Sequence, residues 1–160
     1  MKIGLVLHEM HRSENDLAHE LLQVSERHKV DHEIYHIGRD LARWSQRHVQ
    51  EIADIGHNYG LDLNPKPKDE FGLVERMRER GSDLVGRRGD ASLLLIRDLR
   101  KIYMKATGVS ADWEVLAQAA QGMKQKDLLD VTKQCHPDTL RQMRWANAML
   151  KVVSTQIIVS

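Results

Sequence analysis

Between Leu5 and Tyr59 the apolar residues recur at spacings of three and four, in two runs separated by one break. The first register is Leu7, Met10, Glu14, Leu17, Leu21, Val24 and His28; the second is Ile34, Ile37, Leu41, Trp44, His48, Ile52, Ile55 and Tyr59. That period puts each set on one face of an α-helix, and two such helices joined by a short break bury their stripes most simply against each other. The break falls at Lys29-Val30-Asp31. Asp31 can accept from the unpaired amides that open the second helix, and Glu33 suits the positive end of its dipole. Gly60 supplies a left-handed residue to end that helix, while Gly38 and Gly56 weaken it slightly.

Each stripe carries one residue that is costly to bury, Glu14 in the first and His48 in the second. Counting from the turn at about 1.5 Å per residue, Glu14 lies roughly 20 to 25 Å up one helix and His48 about 25 Å up the other. The two should therefore face each other at nearly one level. A carboxylate buried alone is strongly disfavoured and a partner across the hairpin relieves it, so the expectation is a hydrogen-bonded pair that fixes the hairpin register. A single bound metal ion is the alternative use of the same two side chains.

Beyond Gly60, residues 61–68 contain Pro65 and Pro67 and read as a linker. A short helix is expected over Phe71 to Val85, then a turn at Gly86-Arg87-Arg88-Gly89, then a long helix from Ala91 to Thr107 capped by Asp90 and ended by Gly108. Its apolar face is Leu94, Leu95, Leu99, Ile102, Tyr103 and Ala106. Ser110 suggests a fresh N-cap for a helix from Ala111 to Gln134 carrying Trp113, Leu116, Ala117, Ala120, Met123, Leu128 and Val131. His136-Pro137-Asp138 suggests the start of a last helix, since proline is tolerated at the first helical position. That helix would bury Leu140, Met143, Leu150, Val153 and Ile157, with Asn147 as its polar core position. Aromatic residues make up 4% of the chain and no alternating β-branched run occurs, which favours an all-α class. The expected architecture is one domain over residues 1–160, an antiparallel up-and-down four-helix bundle with an extra crossing segment. Its parts are a hairpin at 5–59, a linker at 61–68, a crossing segment at 70–107 and a second hairpin at 111–158.

Bundles of this kind hold metals where a Glu on one helix meets a Glu-x-x-His on the next, because residues three apart share a face. Glu14 stands at the lone-Glu position and Ser45-Gln46-Arg47-His48 at the paired one, with Ser45 where the second carboxylate would be. On Glu14, on the run Leu41 to His48 and on the two-hairpin layout, the chain resembles the ferritin-like superfamily, in particular the small bacterial ferritin-like proteins. The resemblance implies a di-iron or di-manganese carboxylate site used for oxidation or iron handling. The second hairpin departs from it: beyond Glu114 there is no inward carboxylate beside Leu116, Ala120 and Met123, and the last helix has no Glu-x-x-His. A dinuclear site needs several carboxylates to neutralise two cations, so the expectation is a degenerate member without redox turnover.

His28, His32 and His36, spaced by four and near His19 and Glu33, form a second candidate metal or pH-sensing group. The break expected between His28 and His32 favours surface histidines instead, and His8 and His11 read as residues of a fraying helix end. Arg76, Arg78, Arg80, Arg87 and Arg88 are interleaved with Glu75, Glu79, Asp83 and Asp90, which reads as a self-paired surface rather than a nucleic-acid patch. A formal net charge of +1 likewise gives no electrostatic case for nucleic acid or an anionic membrane. Cys135 is the sole cysteine, so no internal disulfide exists, and it reads as a helix-junction thiol beside His136. No apolar run reaches the roughly 18 residues of a membrane span, and the short apolar opening lacks a cleavage pattern, so a cytoplasmic setting is expected. Together these favour a non-enzymatic binding or scaffolding module with no cofactor, acting on a protein partner or as a homodimer. Trp145, Met149 and Val152 form a second apolar face for that contact. The competing readings are an iron- or manganese-dependent oxidase and, more remotely, a nucleic-acid-associated helical protein.

Overall fold

A computed structural model describes residues 2–67 and 88–160, with side chains from residue 91 in the second stretch. The described residues form four long α-helices and a one-turn 3-10 helix at His57–Tyr59, with no strand among them. The helices are α1 (Ile3–Arg27), α2 (His32–Gly56), α3 (Arg88–Gly122) and α4 (Lys126–Ile158). α1 packs along α2 and α3, while α4 packs along α3 and more lightly on α2, so the four stripes enclose a shared core. Among its fully buried side chains are Leu7, Leu17, Ile34, Ile52, Leu99 and Leu116. Each contributes about 1.5 to 3 kcal/mol of transfer free energy. No described helix is long and apolar enough to cross a membrane.

The opening hairpin follows its spacing. Asp31 accepts a hydrogen bond from the Ile34 amide at 3.2 Å, and Gly60 takes the left-handed conformation at φ 77°. Gly38 does more than weaken its helix. A Cβ at this position would lie 3.2 Å from the Ser25 Cβ, so glycine allows α2 to approach α1 closely near the turn, where Ser25 donates to the Tyr35 carbonyl at 2.6 Å. α1 begins at Ile3, so His8 and His11 lie within the helix rather than at a fraying end. The His11 ring stands 2.7 Å from the Asn64 carbonyl and holds the proline-containing connector along α1, with Leu63 buried beneath it.

The second half is divided differently from the expectation. α3 runs unbroken through Gly108 and Ser110, and the helix expected from Ala91 to Thr107 is joined to the one expected from Ala111. The reason lies in phase: the buried residues Leu99, Ile102, Ala106, Val109, Trp113, Leu116 and Ala120 keep alternating three and four across Gly108, so burial favours one continuous rod. A glycine at an exposed position costs only about 1 kcal/mol there. α4 likewise runs unbroken through Cys135, His136 and Pro137. Its buried stripe is Leu128, Thr132, Cys135, Thr139, Gln142, Ala146, Met149 and Val153. Pro137 sits on the exposed side, one turn after the exposed Lys133 whose carbonyl goes without its ladder bond. Of the expected core positions of the last helix Val153 is buried, while Leu140, Met143, Leu150 and Ile157 are half-buried at its edge and Asn147 is exposed. Met149 belongs to the core and Trp145 packs against it, which leaves Val152 as the exposed member of the supposed second apolar face.

The true break falls at Met123–Gln125. The Gln125 amide donates to the Ala120 carbonyl at 2.9 Å and the Lys124 amide to Gln121 at 3.1 Å, the paired bonds of a Schellman cap. Lys124 occupies the left-handed position at φ 56°, where glycine is usual, while the nearby glycine, Gly122, is the last residue of the helix itself. The short helix expected at Phe71–Val85 and the basic side chains at Arg76, Arg78, Arg80, Arg87 and Arg88 lie outside the described residues, as do positions 86 and 87 of the expected turn; the backbone of Arg88, Gly89 and Asp90 is already helical, so α3 opens within that turn and Asp90 lies inside the helix rather than capping it.

Two substitutions separate this layout from the expected one. Nothing stands within 4 Å of a Cβ built at Gly108. Gly108→Ala should therefore raise the urea midpoint, by about 0.5 to 1 kcal/mol of stability, whereas a glycine ending a helix would make it destabilising. Lys124→Gly should stabilise by a similar amount, about 1 kcal/mol, by relieving the left-handed lysine.

Candidate functional site

The misfits of the opening hairpin meet in the core, and the other two helices join them. Glu14 of α1 is fully buried and its Oε1 accepts two hydrogen bonds, from His48 Nδ1 of α2 at 2.9 Å and from Trp113 Nε1 of α3 at 3.0 Å. On its other side His48 Nε2 donates to Asp138 Oδ2 of α4 at 3.2 Å. One polar chain, Trp113 to Glu14 to His48 to Asp138, thus crosses all four helices at one level. The Trp113 ring also meets the imidazole edge to face, with centroids 6.0 Å apart. Asp138 reaches the rim, where Arg141 donates to its Oδ1 at 2.9 Å and Arg47 stands 3.8 Å away.

The geometry sets the protonation of His48. Both of its ring nitrogens face carboxyl oxygens, an arrangement that suits a doubly protonated ring donating to each. Burial pushes its pKa down, but the charge and hydrogen bond of Glu14 and then those of Asp138 outweigh burial and raise it above the ordinary value. The neighbouring Cys135 thiol is pushed up, by burial first and then by the charges of Glu14, Glu51 and Asp138, which makes it unreactive. Asp112, on α3 beside Ser13, is raised by burial and by the charges of Glu9 and Glu14, against the lowering effect of its Ser13 hydrogen bond.

Ser45, at the position of the missing carboxylate, is fully buried and accepts from Gln142 Nε2 at 2.8 Å; the same amide nitrogen donates to the Leu41 carbonyl at 2.9 Å. The polar core positions of the last helix are thus Thr132, Thr139 and Gln142, not Asn147. Sequence reasoning paired Glu14 with His48 but missed Trp113, Asp138 and Gln142. A buried indole usually finds an acceptor for its N–H, and this is the signal by which Trp113 could have been found. Asp138 and Gln142 were hidden by the misplaced start of the last helix.

His28, His32 and His36 do not form one group. His28 is buried and its Nε2 lies 2.7 Å from Asp98 Oδ2 of α3, while His32 and His36 are exposed and stack on each other at 6.1 Å between centroids. Among the described residues no cluster of three or more His, Cys, Asp or Glu side chains is arranged to hold a metal ion. Arg27 completes the His28 arrangement, with its Nη1 at 2.8 Å from both Asp98 oxygens. Burial raises the Asp98 pKa, yet the hydrogen bonds and charges of His28 and Arg27 outweigh it and hold the carboxyl below its ordinary value. Near mid-height Lys101 pairs with the buried Glu20 at 3.1 Å, a further tie between α1 and α3.

Two other arrangements have the look of sites. Ser110 Oγ lies 2.9 Å from His136 Nε2, and His136 Nδ1 lies 3.8 Å from Glu114 Oε1, the order of a hydroxyl, imidazole and acid relay. Ser110 sits within a continuous helix whose amides are spent on its own ladder, so no oxyanion donor faces it, and the contact serves to join α3 to α4. At the end of the bundle where α1 starts, a surface groove of about 840 Å³ is lined by Ile3, Leu5, His8, Tyr59, Leu61 and Asp127. There the Tyr59 hydroxyl donates to Asp127 at 2.9 Å, and its pKa is pushed up to about 12, by burial first and then by Asp127. The groove lies roughly 15 Å along α1 from Glu14 and shares no residue with the central chain.

Compared with protein-family models, curated proteins and solved structures, the chain shows no match.

Two charged groups give stability opposite pH dependences. Asp98, lowered in the folded state, contributes stability that is present above its unfolded pKa and is lost as pH falls through the folded value. His48, raised in the folded state, contributes stability that is full below about 6.5 and is lost as pH rises through the folded value. Urea midpoints measured across pH should therefore decline on both sides. Asp98→Asn should flatten the acid limb and His48→Leu the alkaline limb. At neutral pH His48→Leu should also cost about 3 kcal/mol or more by leaving Glu14 buried without its cation, and an unchanged or higher midpoint would contradict the pairing.

Proposed function

We propose that the protein is a non-enzymatic helical bundle that serves as a binding or scaffolding module. On this reading it is an antiparallel up-and-down bundle of ferritin-like type whose metal centre has been replaced by hydrogen bonds. The observation that carries the reading is how the central groups are used: Glu14 Oε1 is taken by His48 and Trp113, both nitrogens of His48 are taken by carboxylates, and Ser45 is taken by Gln142. A histidine whose two nitrogens carry protons has no lone pair to give a metal. Ligation would require expelling Trp113 and deprotonating His48, against the field of two carboxylates. A cytoplasmic setting suits Cys135, a buried thiol.

The partner surface is best sought on α3. Leu93, Met104 and Val115 are each more than half exposed and follow one another at intervals of eleven residues, about three helical turns, so they line one face. They stand about 16 Å apart, and on this proposal they are the apolar points at which a protein partner, including a second copy of the chain, would seat.

Elemental analysis of protein purified without chelators, alongside Glu14→Ala, tests the central claim. The expected result is less than stoichiometric iron or manganese in both proteins; one or two equivalents in the native chain, lost in the variant, would establish the metal-dependent alternative. The partner surface is tested by light scattering with size exclusion over a wide concentration range. Self-association that weakens in the Met104→Glu, Val115→Glu double variant supports it, and a native chain that stays monomeric with no effect of the variant on any captured partner removes α3 as the surface.

A further inference from the structure

Three oxygen atoms at the centre of the bundle are buried without a hydrogen-bond partner: Glu14 Oε2, Thr139 Oγ1 and Gln142 Oε1. All three residues have no exposed surface. Glu14 lies on α1, and Thr139 and Gln142 lie on α4. Thr139 and Gln142 are three apart on the inward stripe of α4, a spacing that brings side chains into neighbouring positions on one face. Asp138, adjacent to Thr139, is tied through His48 to Glu14, and the charge of Glu14 is felt at Cys135, one turn before Thr139. Leaving a buried acceptor unsatisfied costs about 1 to 3 kcal/mol, more for a carboxylate, so orphans in one part of the core call for a partner.

The chemistry of the three atoms says which partner fits. Glu14 Oε2 and Gln142 Oε1 need donors, while the Thr139 hydroxyl carries one hydrogen that needs an acceptor. A water molecule offers two O–H donors and a lone pair, which matches this set atom for atom, and polar internal sites with two to four partners are where buried waters reside. A cation would satisfy the oxygens too, but the charges disfavour it. The His48 imidazolium already offsets Glu14 and sits on the same carboxylate, and Arg47 and Arg141 offset Asp138, so a further positive charge would meet repulsion without an unpaired anion to neutralise. We propose that the centre of the bundle is a binding site for an internal water molecule, which accepts from Thr139 and donates to Glu14 and Gln142. This site would extend the polar chain from α4 back to α1 and close it into a ring with His48. The proposal stands apart from the scaffolding reading, which metal content decides.

The test is water oxygen-17 and deuteron magnetic relaxation dispersion on the intact native chain, with Thr139→Val and Thr139→Ser for comparison. The expected result is a dispersion step from a long-lived water in the native chain, kept in Thr139→Ser and lost in the nearly isosteric Thr139→Val, with helical circular dichroism unchanged in all three. Absence of the step in the native protein overturns the proposal, as does a step of full amplitude in folded Thr139→Val. If Thr139→Val does not fold, electron density in native crystals decides: a single water peak within hydrogen-bond reach of all three atoms supports the site, and a direct bond from Thr139 to Glu14 overturns it. A stoichiometric sodium or magnesium ion at that point, seen by elemental analysis and by its shorter coordination distances, would also overturn it.

Discussion

The bundle depends on one imidazolium placed between two carboxylates. Burying Glu14 would be prohibitive without compensation, and His48 supplies the charge while Trp113 supplies a second donor to the same oxygen. Because His48, Trp113 and Asp138 sit on helices other than α1, these hydrogen bonds hold only when all four helices are aligned as they are here, a demand that apolar contact does not make. An apolar stripe tolerates sliding by a turn, since leucine meets leucine again. A glutamate that slides by a turn loses both donors at once.

How far the fold was legible follows from this difference between apolar and polar stripes. α1 and α2 advertise themselves through leucine, isoleucine and valine at helical spacing, and the two exceptions, Glu14 and His48, stood out because their surroundings were so regular. The Asp31 cap and the left-handed Gly60 were equally plain, since each residue type has one favoured local use. α4 was harder because Thr132, Thr139 and Gln142 occupy core positions, so a search for apolar residues settled on the neighbouring set that includes Leu140, Met143 and Leu150. Local signals then misled in sequence. Gly108, Ser110 and Pro137 are each common at helix ends, yet tertiary burial in phase outweighs a cost of one or a few kcal/mol at each. The real stop, at Lys124, is obscured because its left-handed residue is a lysine and the nearby glycine, Gly122, stands two residues before it.

The same uneven legibility applies to the polar centre. The pairing of Glu14 with His48 could be reached from spacing alone, because both lie in one hairpin whose turn fixes the count. The partners on α3 and α4 could not, since their level relative to α1 depends on residues 68–87 and on helix boundaries that were read wrongly. The histidine group at 28, 32 and 36 separated for a related reason. The turn after Arg27 places His28 against Asp98 of α3, a contact seventy residues away that no local spacing encodes.

The seams of α3 and α4 carry one more implication. From Leu99 to Ala120 and from Leu128 to Val153 the inward residues alternate strictly between steps of three and four, a repeat of 3.5. A straight α-helix turns every 3.6 residues, so such a seam drifts by about 20° in each seven residues and would rotate out of contact over lengths like these. For the two rods to stay joined from end to end, they must wind around each other with a left-handed twist, as the strands of a coiled coil do.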